Sequence, residues 1–413
     1  MKRWGALCAA AVLLSGHTLV SAAVQAGVAH AVFSLPAGVP LAGYSRRHGH
    51  PSTGMHDPVG VRALVLEDEQ GSAAALVSCD LLIIDERLFD AVRRRLLNAG
   101  WPPQGILLLA ATHTHSGPGA YGSRFLEKLS MGHFDPAVFE GLAAQVAQTV
   151  LAARAAAAPA ELTAASARLP DLVRNRMDPD GLVDDELTVV ACRRPGAGRP
   201  FTVLVGFAAH PTTLGAWNRE LSADYPGALT RALEARLAPA TVLFFAGAVG
   251  DQAPVKLGAR FESTELMGER LAAQAAALAA DAAASPAQDL WAAQRELALP
   301  PAAVQVGRLR LPRWLGARLV DDDAMLTVVR AGPVVFFGAP CDLSAALGAR
   351  LKEAARSRGL IPVVIGFASD YIGYCLTARQ YAAHAYESQM SFNGPQAGEQ
   401  VADGLVELLG PAP

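Results

Sequence analysis

The 413-residue chain is poor in charge, in aromatic residues and in cysteine: 18% charged, 6% aromatic, with five cysteines. Its formal net charge is −3, and no long basic or acidic block runs along it. Without a Lys/Arg stripe interleaved with aromatics, nothing points to a nucleic-acid binder. No Gly-x-Ser-x-Gly pentapeptide occurs, which argues against a serine hydrolase with a nucleophile elbow. Past the N-terminal segment, no apolar run is long enough to cross a bilayer. Leu271 to Ala284 is Ala-rich but carries Gln and Asp, as a packed helix does. No repeat and no interdomain linker is visible, so a single domain is expected over residues 24–413.

The N-terminus reads differently. Lys2 and Arg3 precede an apolar core from Ala6 to Leu14, and small residues follow at Ser21, Ala22 and Ala23. This is the pattern of a secretory signal peptide over residues 1–23, with periplasmic or fully secreted placement expected. Cys8 stands near the start of the apolar core rather than at its end, which speaks against a lipoprotein anchor. Export would permit disulfides among Cys79, Cys192, Cys341 and Cys375. Buried free thiols are the expected state, with Cys341 and Cys375 neighbours if the residues beside them converge.

What the chain does have is a set of short apolar runs that end in chemistry. Ile106 to Ala111 leads into Thr112-His113-Thr114-His115-Ser116-Gly117-Pro118-Gly119. Read as a buried strand, it would project His113 and His115 from one face. Either both imidazoles bind a metal, or one binds and the other moves protons. Five more runs behave alike. Phe201 to Ala209 ends at His210, Val334 to Gly338 leads to Asp342, and Val363 to Phe367 leads to Asp370, Tyr371 and Tyr374. Val242 to Phe245 leads to Asp251, and Ala73 to Ser78 to Asp80. Helical spacing marks Arg87–Ala99, Ala137–Ala155, Pro226–Leu237, Thr264–Ala284, Ser344–Arg358 and Gln396–Leu409. The expected fold is α/β: a mixed, largely buried β-sheet flanked by helices, with the metal site beyond the strand ends. Ser285 to Pro312, rich in Pro and Ala, reads as an extended excursion.

Several motifs resemble the neutral (non-lysosomal) ceramidase family. They are Leu41-Ala42-Gly43-Tyr44, Ser52 to Pro58 (STGMHDP), Thr112 to Gly119, and Asn175-Arg176. Ala209-His210-Pro211-Thr212, Ser222 to Gly227, Gly250 to Pro254, and then Tyr371, Tyr374, Tyr381 and Tyr386-Glu387 follow in family order. The resemblance implies one zinc held by His113, His210, Asp342 and Tyr374, with His115, Arg176 and Tyr386 as catalytic or substrate-polarising residues. It implies a zinc amidase that cleaves the N-acyl bond of ceramide or a related lipid amide, a substrate met at a membrane surface. Three departures stand out. Cys341-Asp342 replaces the usual Gly-Glu, Ala253 stands where many relatives have Ser, and Asp370 where they often have Asn. The chain is also read as ending without the C-terminal immunoglobulin-like domain of longer relatives.

The chemistry agrees with the resemblance. Two imidazoles, a carboxylate and a phenol suit zinc better than magnesium or calcium, which prefer all-oxygen shells. Asp80 or Asp251 is a candidate to orient a ligand imidazole. The remaining candidates take bland readings: His48, His50 and His56 at a rim, His133 and His384 at the surface, Tyr371 and Tyr381 in packing. Trp217 and Trp314 read as core, and Arg46-Arg47 as a solvated pair. Two other functions remain open: a metal-dependent hydrolase of the same fold acting on another amide or ester, and a non-catalytic lipid-binding homologue.

Overall fold

The computed structural model describes residues 24–281, 289–306 and 309–410. The expected signal peptide lies outside them. The strands form three principal sheets rather than one, each a set of antiparallel strands with a parallel pair at one edge. In the first sheet Gln25–Val32, Gly60–Glu67 and Ala73–Cys79 run antiparallel, and Ile106–Ala111 adds in parallel beside Ala73–Cys79. In the second, Glu161–Arg168, Glu186–Arg193 and Pro200–Phe207 are antiparallel and Thr241–Ala246 is parallel to the last. The third repeats the plan with Leu290–Ala298, Asp323–Ala331 and Val334–Gly338, then parallel Ile361–Ile365.

The six apolar runs of the sequence are these three parallel pairs. A strand buried on both faces has no polar alternation to show, so it reads as an unbroken apolar run. One common core joins the inner faces: Leu64, Leu76 and Leu108 from the first sheet meet Leu204, Leu243 and Phe245 from the second and Val329, Phe336 and Ile365 from the third. The outer faces are covered by helices. Glu86–Asn98 and Pro136–Ala155 lie over the first sheet, Asp224–Leu237 and Phe261–Asp281 over the second, and Ala345–Arg356 and Ala397–Leu408 over the third. All six expected helices are present, with ends that coincide or differ by up to three residues, and the expected end at Ala284 lies outside the described residues. Close fits fix the layers. A Cβ on Gly27 would come within 2.1 Å of the Ala153 carbonyl oxygen, so the first strand can lie against helix Pro136–Ala155 only with glycine there.

The expected excursion after Ser285 is in part ordinary sheet. Leu290–Ala298 pairs along its whole length with Asp323–Ala331. Its sequence, LWAAQRELA, is half-buried and mixed, which hides the strand from a search for apolar runs. Trp217 and Trp314 are exposed, not core. Among the described residues no helix is long and apolar enough to cross a membrane.

Candidate metal and catalytic centre

His113, His115, His210, Asp342, Tyr371 and Tyr374 all lie beyond the ends of parallel-pair strands, as open α/β sheets place their ligands. Arg176 instead follows the short strand Val173–Asn175, and Tyr386 lies in a short helix. His113 does not get there by strand alternation. The strand stops at Ala111, and His113 has a left-handed backbone (φ 62°), a conformation that costs a non-glycine residue about 1–3 kcal/mol. Its ring lies flat on Phe367, centroids 3.7 Å apart, itself at positive φ. The convergence of His113 and His115 is thus made by a turn, and their rings stand edge-on at 85°.

Three imidazoles meet at one point. His113 Nε2 is 2.9 Å from His210 Nε2, and His115 Nε2 is 3.2 Å from each. These separations are near the edge of a tetrahedron whose metal–nitrogen bonds are about 2.0–2.1 Å. The three-histidine cluster can hold a metal ion. Asp342 closes the site: Oδ1 is 3.6 Å from His113 Nε2 and 3.9 Å from His210 Nδ1. That oxygen is buried and has no hydrogen-bond partner among the described residues, while Oδ2 accepts from the Tyr371 hydroxyl at 2.8 Å. Burial pushes the Asp342 carboxyl up to about 7, against the Tyr371 hydroxyl and the Arg176 charge that draw it down. Burial likewise lowers His113 to about 3, so the imidazoles are neutral and offer lone pairs at ordinary pH.

The second nitrogens separate the three rings. His113 Nδ1 lies 2.6 Å from the Leu82 carbonyl and His210 Nδ1 3.4 Å from that of Val249, contacts that fix the tautomer with Nε2 free. His115 Nδ1 is buried beside the Gly43 backbone without a well-formed hydrogen bond. Neither Asp80 nor Asp251 orients an imidazole. Asp80 accepts from the Gly60 N–H and faces Arg62. Asp251 accepts from the Ala345 N–H, Gln252, Asn175 and Gln380, tying loops together behind the site. Backbone carbonyls do the work expected of the carboxylates.

Arg176 is brought to the same centre. It donates to the Tyr374 hydroxyl and to the Gly250 carbonyl, both at 2.8 Å, and its Nε lies 2.9 Å from Glu387 Oε1. Burial works against its charge, but Tyr374, Glu387 and Asp342 outweigh that and hold it charged. Tyr386 is 61% exposed with its ring 6.1 Å from Tyr374, at the mouth of the site. Tyr371, expected in packing, is a site residue by its bond to Asp342. Glu387 was also unforeseen as the anchor of Arg176; its position beside Tyr386 was the only clue.

The remaining motifs are supports. Asp224 accepts from the N–H groups of Thr213 and Leu214, and the Tyr225 hydroxyl donates to the Ala209 carbonyl, which pins the loop carrying His210. Asp57 in turn holds Ser222 and Ala223. Arg47 is buried and donates to the carbonyls of His115 and Ala42, while Arg46 is exposed. His48, His50, His133 and His384 are at the surface and His56 stacks on Phe261, all away from the cluster. Tyr381 is buried, bonded by Gln305. Cys341 and Cys375 are neighbouring, buried free thiols.

A cleft opens over the cluster. Leu82, Ile83, Met131, Val320, Met390 and Phe392 give it apolar walls, and Arg124, Glu127 and Asp321 add charge on one side. Just outside, Asp370 is buried with one hydrogen bond, from the Tyr371 N–H. Burial, then Asp321, raises it to about 8. An unfolded Asp titrates near 3.9, so folding binds a proton here. The resulting stability is full below that value and is lost as pH rises to about 8, a change on the order of a few kcal/mol. Asp370→Asn should therefore melt progressively higher than the parent as pH goes from 5 to 8. Parallel melting curves for the two proteins across that range would sink the assignment.

The fold and cluster define a mixed α/β protein with a buried, metal-capable centre of three imidazoles and a carboxylate. Comparison with known proteins narrows this. The profile of the neutral/alkaline non-lysosomal ceramidases (N-terminal part) matches residues 27–299, and the chain belongs to that family. It is 24% identical to the neutral ceramidase of Pseudomonas aeruginosa over 86% of this chain and 67% of that one. It is 29% identical to the neutral ceramidase of Mycobacterium tuberculosis over 43% of this chain, spanning only 30% of that protein's length. The crystal structure of the Pseudomonas aeruginosa enzyme superposes with a TM-score of 0.82 at 22% identity, covering 94% of this chain and 74% of that one. A structure described as ceramidase complexed with C2 gives 0.83 at 20% identity, covering 94% and 75%.

Proposed function

We propose that this chain is an exported zinc amidase that hydrolyses the N-acyl bond of ceramide or a related lipid amide, with residues 24–413 as one catalytic domain. The observation that carries the reading is Asp342 Oδ1: a buried carboxylate oxygen with no partner, aimed at converging neutral imidazoles. A buried anion in that setting calls for a cation. Nitrogen, carboxylate and phenol donors together fit zinc. His113, His210, Asp342 and Tyr374 hold the ion in this reading. Asp342 reaches less far than the family's usual Glu, and the carbonyl-locked rings of His113 and His210 meet it.

Bound zinc would lower the pKa of a water from about 16 towards 7 and so supply hydroxide at neutral pH. The rest falls to side chains. His115 Nε2 stands over the same point, 3.2 Å from both other imidazoles, and so is placed to relay a proton to the leaving nitrogen. Arg176, fixed by Glu387 and the Gly250 carbonyl, sets the Tyr374 hydroxyl and adds positive charge where the tetrahedral oxyanion forms. Tyr386 donates its hydroxyl at the mouth of the cleft. The apolar walls exclude water and receive the acyl chain. Ala253 supplies no hydroxyl, and none is needed in this scheme.

The test is hydrolysis of short- and long-chain ceramides by the purified protein, with zinc supplied or chelated. Zinc-dependent release of fatty acid is the expected result. One tightly bound zinc with no release would reject ceramide and leave another amide or ester as substrate. Zinc-independent release would reject the mechanism.

A further inference from the structure

The short helix Phe125–Met131 carries apolar residues on two sides. Leu126 and Met131 line the cleft, whereas Phe125 and Leu129, one turn apart, are 64% and 51% exposed. Single exposed apolar side chains are unremarkable. These two, however, share a groove with Ser45, Arg46, His48, Lys128 and His133, and no carboxylate lines it. Arg46, Lys128 and both histidines are themselves exposed. An apolar pair flanked by two cations, Arg46 and Lys128, is complementary to a surface with an oily interior and anionic head groups. The formal charges on the groove's lining, Arg46 and Lys128, are both positive, which matches the phosphates of an anionic head-group layer.

We propose that this face docks on an anionic lipid bilayer, with Phe125 and Leu129 entering the head-group layer and Arg46 and Lys128 contacting lipid phosphates. The inference rests on the lipid-amide reading of the neighbouring cleft and adds the surface from which that substrate is taken. The same helix is wall to both. A helix with its side chains is about 10–12 Å across, so a lipid leaving the docked bilayer has only that width to cross. Neither signal suffices alone: two apolar side chains bind an interface weakly, and cations act only within a Debye length.

The experiment is co-sedimentation of the whole protein with phosphatidylcholine vesicles, alone or mixed with phosphatidylglycerol, containing no amide lipid. Binding is expected only with phosphatidylglycerol, and it should fall as salt rises. Phe125→Ala with Leu129→Ala should weaken it by about tenfold or more. Arg46→Glu with Lys128→Glu should weaken it by about tenfold or more as well. Both pairs should leave turnover of a soluble short-chain amide unchanged. Equal binding by parent and variants, or no binding of the parent to anionic vesicles, would overturn the proposal. If the apolar pair fails to fold, the charge pair decides. Docking by a protein that hydrolyses no lipid amide would uphold the surface while rejecting the proposed chemistry.

Discussion

His113→Ala should remove bound zinc and hydrolysis together, whereas His115→Ala should keep the zinc and lose most of the turnover. Loss of a ligand forfeits the metal-lowered water pKa, a drop on the order of a thousandfold or more. Loss of a proton carrier costs about 10²–10⁴-fold. The difference rests on how firmly the rings are held: His113 Nδ1 is fixed to the Leu82 carbonyl at 2.6 Å, whereas His115 Nδ1 makes only a poorly aligned contact with the Gly43 backbone. Metal content of the purified variants, measured beside kcat, separates the two roles. His115 Nε2 is 3.2 Å from both other imidazoles, so the result is informative either way. Zinc missing from His115→Ala would make His115 a ligand and pass the proton role to Tyr386.

Arg176→Met should lower kcat by roughly 10²–10³-fold, the usual cost of removing a donor from a developing oxyanion. Zinc should stay bound. The side chain touches only one of the four proposed ligands, Tyr374, and leaves His113, His210 and Asp342 in place. Arg176→Lys should recover little, because a single ammonium cannot reach a phenol, a carbonyl and a carboxylate in three directions. Glu387→Gln should give a smaller loss of the same kind, since Arg176 keeps its other two contacts. Unchanged kcat in Arg176→Met would remove Arg176 from the chemistry and leave it a strut.

The parts legible in the sequence share one physical cause. Strands of the parallel pairs are buried on both faces, so Ile106–Ala111 and Val334–Gly338 announce themselves, and a His or Asp just past such a run is conspicuous. The antiparallel strands do not. Gln25–Val32, Glu161–Arg168 and Leu290–Ala298 each mix Ala with polar residues on half-exposed faces, and they blend into loop sequence. The site was legible where it depends on side-chain type, as at His113, His210 and Asp342. It was hidden where it depends on backbone: every residue has a carbonyl, so nothing marks Leu82 or Val249 as the partners of the His113 and His210 rings. Asp80 and Asp251 drew attention because carboxylates are visible in sequence, yet both serve loop geometry. Tyr371 was masked by its ordinary alternative, since a tyrosine after an apolar run is more often packing than chemistry.

Because His113, His210 and Asp342 follow strands of three different sheets, the centre is also the keystone of the architecture. No single sheet, however well formed, contains a binding site. An ion held there would bind tightly only when all three are docked, and its binding free energy would be shared by the whole molecule through mass action. Chelation should loosen the joints among the sheets before it disturbs any one of them. In such a design, catalytic competence and global cooperativity are one property.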